Sequence, residues 1–265
     1  MGLSGPMIWW DDELCEMLAR AGFYVIRYDN RDIGRSTRFK QAQVNRADLV
    51  KAFAGRPVKT PYRMSDLAKD GFGLLDHLRV ERAHILGISM GGMIAQTMAI
   101  ADSERVRSLT SVMSTVGRRT VGWVDPKLMS ALLQPNPTTE QAYIESNLAF
   151  WQKIGSPGYP IPPELIRERG RDTWVRGTNP AGVMRQMLAI LTQRDRTEDL
   201  RKLTIPTLVI HGDRDRMVHV SGGRATALAV PGSELLVIKG MGHDLPPALY
   251  GTFVKAVRGI ADRAG

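Results

Sequence analysis

The chain has 265 residues, 43% of them hydrophobic, and a formal net charge of +9. A chain of this size and composition buries enough apolar surface for one large core with an inserted subdomain, so we expect a folded protein. The basic residues are spread along the sequence without a run of five or more like charges, and we therefore expect no nucleic-acid partner.

The sequence carries no targeting signal that we can identify. No apolar stretch approaches the roughly 18 to 20 residues that cross a bilayer, so no membrane span is expected. The first ten residues lack both the basic region and the long apolar block of a secretory signal peptide. These features predict a cytoplasmic protein. Cys15 is the only cysteine, which excludes an internal disulfide.

Helical and strand-like patterns alternate through the first part of the chain. Helical spacing over residues 12–21 leads into a strand-like run at 23–28 and a turn-rich segment at 29–36. The pattern continues as helix 64–79, strand 83–88, helix 90–101 and strand 108–113. This alternation predicts an α/β fold, a doubly wound and mostly parallel sheet with helices on both of its faces.

The alternation stops between residues 116 and 200, where prolines and amphipathic helical pieces replace the strands. We predict that residues 116–200 form a helical cap insertion over the sheet, and that residues 1–115 and 201–265 form the core. The core pattern resumes with strand 207–210, helix 221–229, strand 234–238 and a closing helix at 247–261.

Ser89 stands between Gly87 and Gly91, where the strand predicted at 83–88 meets the following helix. A turn this tight forces strained backbone angles, and glycines two residues either side leave the necessary room. Such a turn would push the Ser89 hydroxyl out over the sheet as a nucleophile. A glycine-rich packing junction is the alternative, so the interpretation depends on partners for the serine.

A serine hydroxyl needs a base, and the base needs a third group that holds it in the right tautomer. His243 follows the strand predicted at 234–238, in a glycine-flanked loop where functional side chains of a doubly wound sheet lie. We predict that it is the base. The preceding strand runs into Asp213 and Asp215, and spacing alone does not choose between them. His211 is interpreted as a residue that packs the turn.

The chain resembles the α/β-hydrolase family in four stretches that follow the family's order of nucleophile, acid and histidine, at residues 29–36, 87–91, 211–215 and 242–243. The resemblance covers essentially the whole chain. In the family's His-Gly-x-x-Asp pattern the last residue is the acid, which implies Asp215 here, with Asp213 in reserve. The turn at 29–36 is most similar to the branch that contains polyketide methylesterases, and it is a structural signature without a chemical role.

An oxyanion hole needs two N–H donors aimed at the tetrahedral intermediate. The backbone N–H of Met90 is the first. The resemblance implies that the second follows a Met-Gly pair, which is Met1-Gly2 here, so that Leu3 would be the donor. The opening strands that precede this loop in the family are missing from the sequence. Their absence indicates a start site assigned downstream of the true one or, alternatively, a shortened sheet with an exposed edge.

The resemblance implies a serine hydrolase that cleaves carboxylic esters of small or lipophilic molecules through an acyl-enzyme, with no metal and no organic cofactor. Thioesterase, lactonase, perhydrolase and carbon–carbon hydrolase activities use the same triad and stay open, as does a slow-turnover ligand receptor on the same fold. The oligomeric state is left open. Apolar candidates for an acyl pocket, or else for the insertion's own small core, are Trp123, Met129, Leu132, Trp151, Met184 and Met187.

Overall fold

A computed structural model describes residues 1–128 and 137–265. Its centre is a parallel sheet of four strands in the order β1-β2-β3-β4, with bounds β1 (Ala83–Ile88), β2 (Val106–Val112), β3 (Thr207–Gly212) and β4 (Glu234–Ile238). The register pairs Ile88 with Val112, Val112 with Ile210, and Gly212 with Ile238. The carboxyl ends of the strands therefore meet at one edge, where the loops that follow them converge.

Helices connect and flank these strands. Those in residues 1–115 and 201–265 are α1 (Asp12–Arg20), α2 (Arg46–Phe53), α3 (Met64–His77), α4 (Met90–Ala101), α9 (Ser221–Ala229) and α10 (Tyr250–Asp262). Residues 116–200, called the insertion below, contribute α5 (Glu140–Ile154), α6 (Pro163–Arg176), α7 (Pro180–Leu191) and α8 (Thr197–Leu200). Short 3-10 helices form at Met7–Trp9, Ser103–Arg105, Pro126–Leu128 and Pro247–Leu249. No helix within the two described ranges is long and apolar enough to span a membrane.

Each face of the sheet has its own apolar core. Residues of α3, α4 and α9 pack on one face, and residues of α1 and α10 pack on the other. Because successive side chains of a strand point to opposite faces, β2 contributes Leu109 to the first core and Val112 to the second. The predicted α/β fold, with helices on both faces of a parallel sheet, is confirmed.

One predicted strand is wrong. Residues 23–28 form no strand, although their apolar pattern resembles one. A strand exists only where a neighbour completes its hydrogen-bond ladder, and in the described part of the chain β1 pairs with β2 alone. Phe23 instead packs edge-on against His84 of β1, with ring centroids 5.7 Å apart.

Helix α2 was not anticipated from the sequence. Its start is marked by a reciprocal pair of hydrogen bonds in which Asn45 Oδ1 accepts the N–H of Asp48 at 2.9 Å and Asp48 Oδ2 accepts the N–H of Asn45 at 3.1 Å. Only eight residues long, the helix is too short for its apolar residues to show a clear period. The capping pair was the signal that could have revealed it.

A buried ion pair fastens the insertion to the turn at 29–36. Arg185 of α7 donates to Asp32 through Nη2 at 2.7 Å and Nε at 2.8 Å, and both side chains are almost fully buried. The Tyr62 hydroxyl donates to the same carboxylate at 2.8 Å. Burial alone would raise the pKa of Asp32, but the hydrogen bonds from Arg185, Phe39 and Tyr62 outweigh it and lower that pKa. The ion pair thus joins α7 to the turn at 29–36.

Candidate active site

Ser89 occupies the sharp turn between β1 and α4. Its backbone angles, φ 55° and ψ −118°, lie in a region that residues other than glycine rarely adopt. The turn is tight enough that a Cβ at Gly87 would overlap the carbonyl oxygen of Gly91. The N–H of Ser89 donates to the carbonyl of Val112 at 2.9 Å, which ties the turn to β2. The strained junction predicted from the sequence is present, and Gly87 stands where the backbone of β1 comes into contact with that of α4.

His243 and Asp215 meet in the loops that follow β4 and β3. His243 Nδ1 lies 2.7 Å from Asp215 Oδ2. The other oxygen of Asp215 accepts the N–H groups of Met217 at 2.9 Å and Val218 at 2.8 Å. The carboxylate is therefore held on both oxygens and has no freedom to turn away from the imidazole.

Burial of Asp215 would raise its pKa, but the charge of His243 and the hydrogen bonds from His211 and His243 outweigh it and lower the pKa from 3.8 to about 2. Asp215 is therefore ionised at neutral pH and accepts a hydrogen bond from Nδ1–H of His243. The neutral imidazole then carries its lone pair on Nε2, the nitrogen that a general base uses.

Asp213 faces away from His243. Its Oδ1 accepts the N–H of Gly240 at 2.7 Å on the exposed side of the loop. Spacing alone left the two carboxylates open, and the resemblance implied Asp215. The structure brings Asp215 to the imidazole, while Asp213 braces the loop that follows β4.

His211 is buried beneath α9, where a Cβ at Gly223 would overlap its ring. Its Nε2 lies 2.8 Å from the carbonyl of Val218. His84 is bound to Ser108 Oγ on the sheet, 2.8 Å from Nδ1. All five histidines lie in the described ranges, and His243 is the one that lines the main cavity.

Ser89 and His243 line the same cavity, whose volume is about 1920 Å³. The described residues show no hydrogen bond between Ser89 Oγ and the imidazole. A nucleophile and its base are commonly loose before substrate binds, and the pair tightens in the complex. No group of three or more His, Cys, Asp or Glu side chains in residues 1–128 and 137–265 is placed to hold a metal ion.

The N-terminal segment runs directly beside Ser89. A Cβ at Gly2 would lie 3.2 Å from Ser89 Cβ and 3.7 Å from its Oγ. Within the described residues, neither the N–H of Leu3 nor that of Met90 donates a hydrogen bond. The Met90 N–H is also the first of α4, where the helix dipole favours negative charge. Both predicted donors are thus unengaged; Met90 directly follows Ser89, and Leu3 directly follows Gly2.

Three of the predicted pocket residues line the cavity, namely Trp123, Trp151 and Met187. Met184 does not line it. Helix α7 lines the cavity with residues that include Pro180, Val183, Met187 and Ile190. Met129 and Leu132 lie outside the described residues. Sequence reasoning missed the contribution of α2, which lines the cavity with Leu49 and Phe53.

Comparison with known proteins agrees with this architecture. A family model described as alpha/beta hydrolase fold matches residues 2–246. The chain is 29% identical over 268 residues to rhodomycin D methylesterase DauP of Streptomyces sp. (strain C5), covering 94% of this chain and 84% of that protein. It is 29% identical over 269 residues to rhodomycin D methylesterase DnrP of Streptomyces peucetius, with the same coverage.

Solved structures of lower identity share the fold. The enol-lactonase from Burkholderia xenovorans LB400 superposes with a TM-score of 0.71 at 21% identity, covering 98% of this chain and 88% of that chain. A thermophilic esterase from Thermogutta terrifontis gives a TM-score of 0.70 at 22% identity, covering 99% of this chain and 88% of that chain.

Proposed function

The chain belongs to the α/β-hydrolase family, and from that premise we propose that it is a carboxylic-ester hydrolase with Ser89, Asp215 and His243 as its catalytic triad. One observation carries the proposal: a strained serine and a histidine held at 2.7 Å by a buried carboxylate line a single cavity. Two relatives of the chain are named methylesterases, which supports ester chemistry.

The first half-reaction forms an acyl-enzyme. Ser89 Oγ attacks the acyl carbon while His243 Nε2 takes the hydroxyl proton, because Nδ1 is engaged by Asp215. The carbonyl electron pair moves onto oxygen, and the N–H groups of Met90 and Leu3 donate to this oxyanion. The imidazolium then gives its proton to the departing alkoxide, the C–O bond of the ester breaks, and the acyl group remains on Ser89.

The second half-reaction releases the acid. His243 Nε2 takes a proton from water as the water oxygen attacks the acyl-Ser89 carbon. The same N–H donors receive the second oxyanion. When that intermediate collapses, the imidazolium returns the proton to Ser89 Oγ, and the carboxylic acid leaves with the enzyme restored.

The cavity supports a lipophilic substrate. Its wall includes the aromatic side chains of Phe150 and Trp151 and the flexible thioether of Met187. Aromatic and methionine side chains favour apolar ligands and adapt to several shapes. We infer that the acyl or alcohol portion of the ester is apolar and that the chain accepts a range of such esters.

Steady-state hydrolysis of nitrophenyl esters with increasing acyl length tests the proposal. Ser89→Ala should lower kcat by roughly 10⁴-fold or more, since loss of a triad nucleophile costs this much in comparable enzymes. Ser233→Ala is the matched control, because Ser233 donates to the carbonyl of Ala227, far from the cavity. Full activity of Ser89→Ala would refute the assignment. Stoichiometric labelling of Ser89 without steady turnover would indicate a ligand receptor instead.

A further inference from the structure

The loop that carries His243 is bonded to the insertion as well as to the sheet. Residues 240–244 face residues 154–158, which comprise the last residue of α5 and the segment after it. Backbone N–H groups of His243 and Gly158 donate to the carbonyls of Ile154 at 2.8 Å and Gly240 at 2.9 Å, respectively. Two segments far apart in the sequence therefore form one unit around the imidazole.

Ser156 and Asp244 are the side chains of this contact, and we call the pair the latch. The Ser156 hydroxyl donates to Asp244 Oδ1, and the Ser156 N–H donates to Oδ2 at 3.1 Å. The Ser156 oxygen also accepts the N–H of Gly242 at 2.8 Å. Ser156 is 3% exposed and Asp244 is 6% exposed, so water cannot easily replace these hydrogen bonds.

Within the latch, Ser156 is hydrogen-bonded to both chain neighbours of His243. Gly242, on one side, donates to Ser156, while Asp244, on the other, accepts from it. The backbone approach is so close that a Cβ at Gly242 would overlap the carbonyl oxygens of Gly155 and Ile154. The main chain of His243 is thereby fixed at its own N–H and at both adjacent residues.

Asp215 alone cannot fix the position of His243. Its oxygen fixes Nδ1 and so the rotation of the imidazole ring, but it does not fix the backbone position from which the side chain extends. A displacement of about 1 Å in a reacting group can lower a rate by roughly 100-fold. Among the described residues, two groups of the insertion accept hydrogen bonds from the backbone of residues 242–243. They are the carbonyl of Ile154 and the hydroxyl of Ser156.

We propose that Ser156 and Asp244 are positioning residues, which hold His243 where its imidazole reaches Ser89. The insertion therefore takes part in the catalytic geometry in addition to lining the cavity. The kinetic readout of this inference rests on the proposed ester hydrolysis, whereas its spectroscopic readout does not.

Kinetics of Ser156→Ala give the first test. The variant leaves the Gly242 N–H and Asp244 Oδ1 without their partner, and we expect kcat to fall about 10- to 100-fold while KM changes less than about threefold. Ser156→Thr keeps the hydroxyl and should recover most of the lost kcat. Asp244→Asn keeps one accepting oxygen, and its kcat should lie between those of Ser156→Ala and Ser156→Thr. It replaces Ser156→Ala in this test if Ser156→Ala does not fold.

Ser108→Ala is the matched control. Ser108 is similarly buried, 2% exposed, and its hydroxyl is also engaged in a side-chain hydrogen bond, to His84, yet it lies on β2 and does not line the cavity. It should lose thermal stability comparable to that lost by Ser156→Ala and keep its kcat. If Ser156→Ala also keeps its kcat, the latch is merely structural and the proposal is overturned.

Proton NMR of the low-field His243 Nδ1–H signal gives the second test, because the signal reports the bond to Asp215 without any turnover. The signal should be sharp in the wild-type protein, absent in His243→Asn, broadened or lost in Ser156→Ala, and unchanged in Ser108→Ala. An unchanged signal in Ser156→Ala would overturn the latch. If the expected signals appear but the wild-type protein hydrolyses no ester, the proposed function fails while the positioning role stands.

Discussion

His211 Nε2 lies 3.3 Å from Asp215 Oδ2, the carboxylate oxygen that also faces His243 Nδ1 at 2.7 Å. Because the Val218 carbonyl 2.8 Å away can only accept a hydrogen bond, the proton of His211 sits on Nε2 and points toward both oxygens. Two imidazoles thus converge on one carboxylate, and only the one from His243 lines the cavity.

His211→Phe should separate these two roles. The variant keeps a ring of similar size but removes the N–H that reaches Asp215 and Val218. We expect the free energy of unfolding to fall by about 2 kcal/mol, as for other buried hydrogen bonds to a charged group. We also expect kcat to stay within about tenfold of the wild type, whereas His243→Phe should abolish turnover. Urea denaturation and steady-state kinetics measure both, and equal losses of turnover would make His211 a second base.

Asp215→Asn should lower kcat by roughly 10³- to 10⁴-fold, because an amide cannot stabilise the imidazolium and favours the wrong tautomer of His243. Asp213→Asn is the matched control, since it makes the same chemical change two residues away, where the side chain braces Gly240. It should keep kcat within about threefold. Ester hydrolysis at saturating substrate measures both, and the reverse pattern would make Asp213 the acid.

Gly87→Ala should prevent folding of the tight turn that carries Ser89. The added Cβ would overlap the Gly91 carbonyl, and neither backbone can shift without breaking the junction of β1 and α4. Gly73→Ala is the control, because a Cβ at this exposed position of α3 meets nothing within 4 Å. It should raise the free energy of unfolding by up to about 1 kcal/mol through helix propensity. Soluble yield and thermal melting distinguish the two, and a well-folded Gly87→Ala would contradict the tight turn.

Arg185→Met should lower the free energy of unfolding by about 3–5 kcal/mol, because it leaves the charge of Asp32 buried without its partner. Arg201→Met removes an exposed arginine paired with Glu198 and should cost less than about 1 kcal/mol. Chemical denaturation measures both. If the double variant with Asp32→Asn were no more stable than Arg185→Met alone, the unpaired charge would not be the cause.

The pH dependence of stability should reflect the low pKa of Asp215. The folded protein lowers that pKa from 3.8 to about 2, so the folded state binds this proton more weakly than the unfolded state. The resulting stabilisation, about 2 kcal/mol, should be complete above roughly pH 5 and disappear as the pH falls toward 2. Denaturation of wild type and Asp215→Asn at pH 7, 5 and 3 measures it. A difference that grows on acidification would contradict the assigned direction.

Local patterns allowed much of this fold to be predicted. The helical period of residues 12–21 and the apolar run at 83–88 each reappear as elements with nearly the predicted bounds. The same patterns failed at residues 23–28, because an apolar run becomes a strand only beside a partner. Helix α2 was missed for a related reason, since eight residues carry too little periodicity to be recognised.

The sequence by itself determined the tight turn at Ser89, because a turn of that tightness requires glycine at 87, and this requirement is visible in the residues that neighbour the serine. It also indicated His243, through its place after a strand. Spacing left Asp213 and Asp215 open and only the family resemblance implied Asp215, which the tertiary structure brings to the imidazole. The tertiary structure alone joined Ser156 to Asp244 across 88 positions. Contacts of this kind depend on how distant segments pack, and no local pattern of residues encodes that packing.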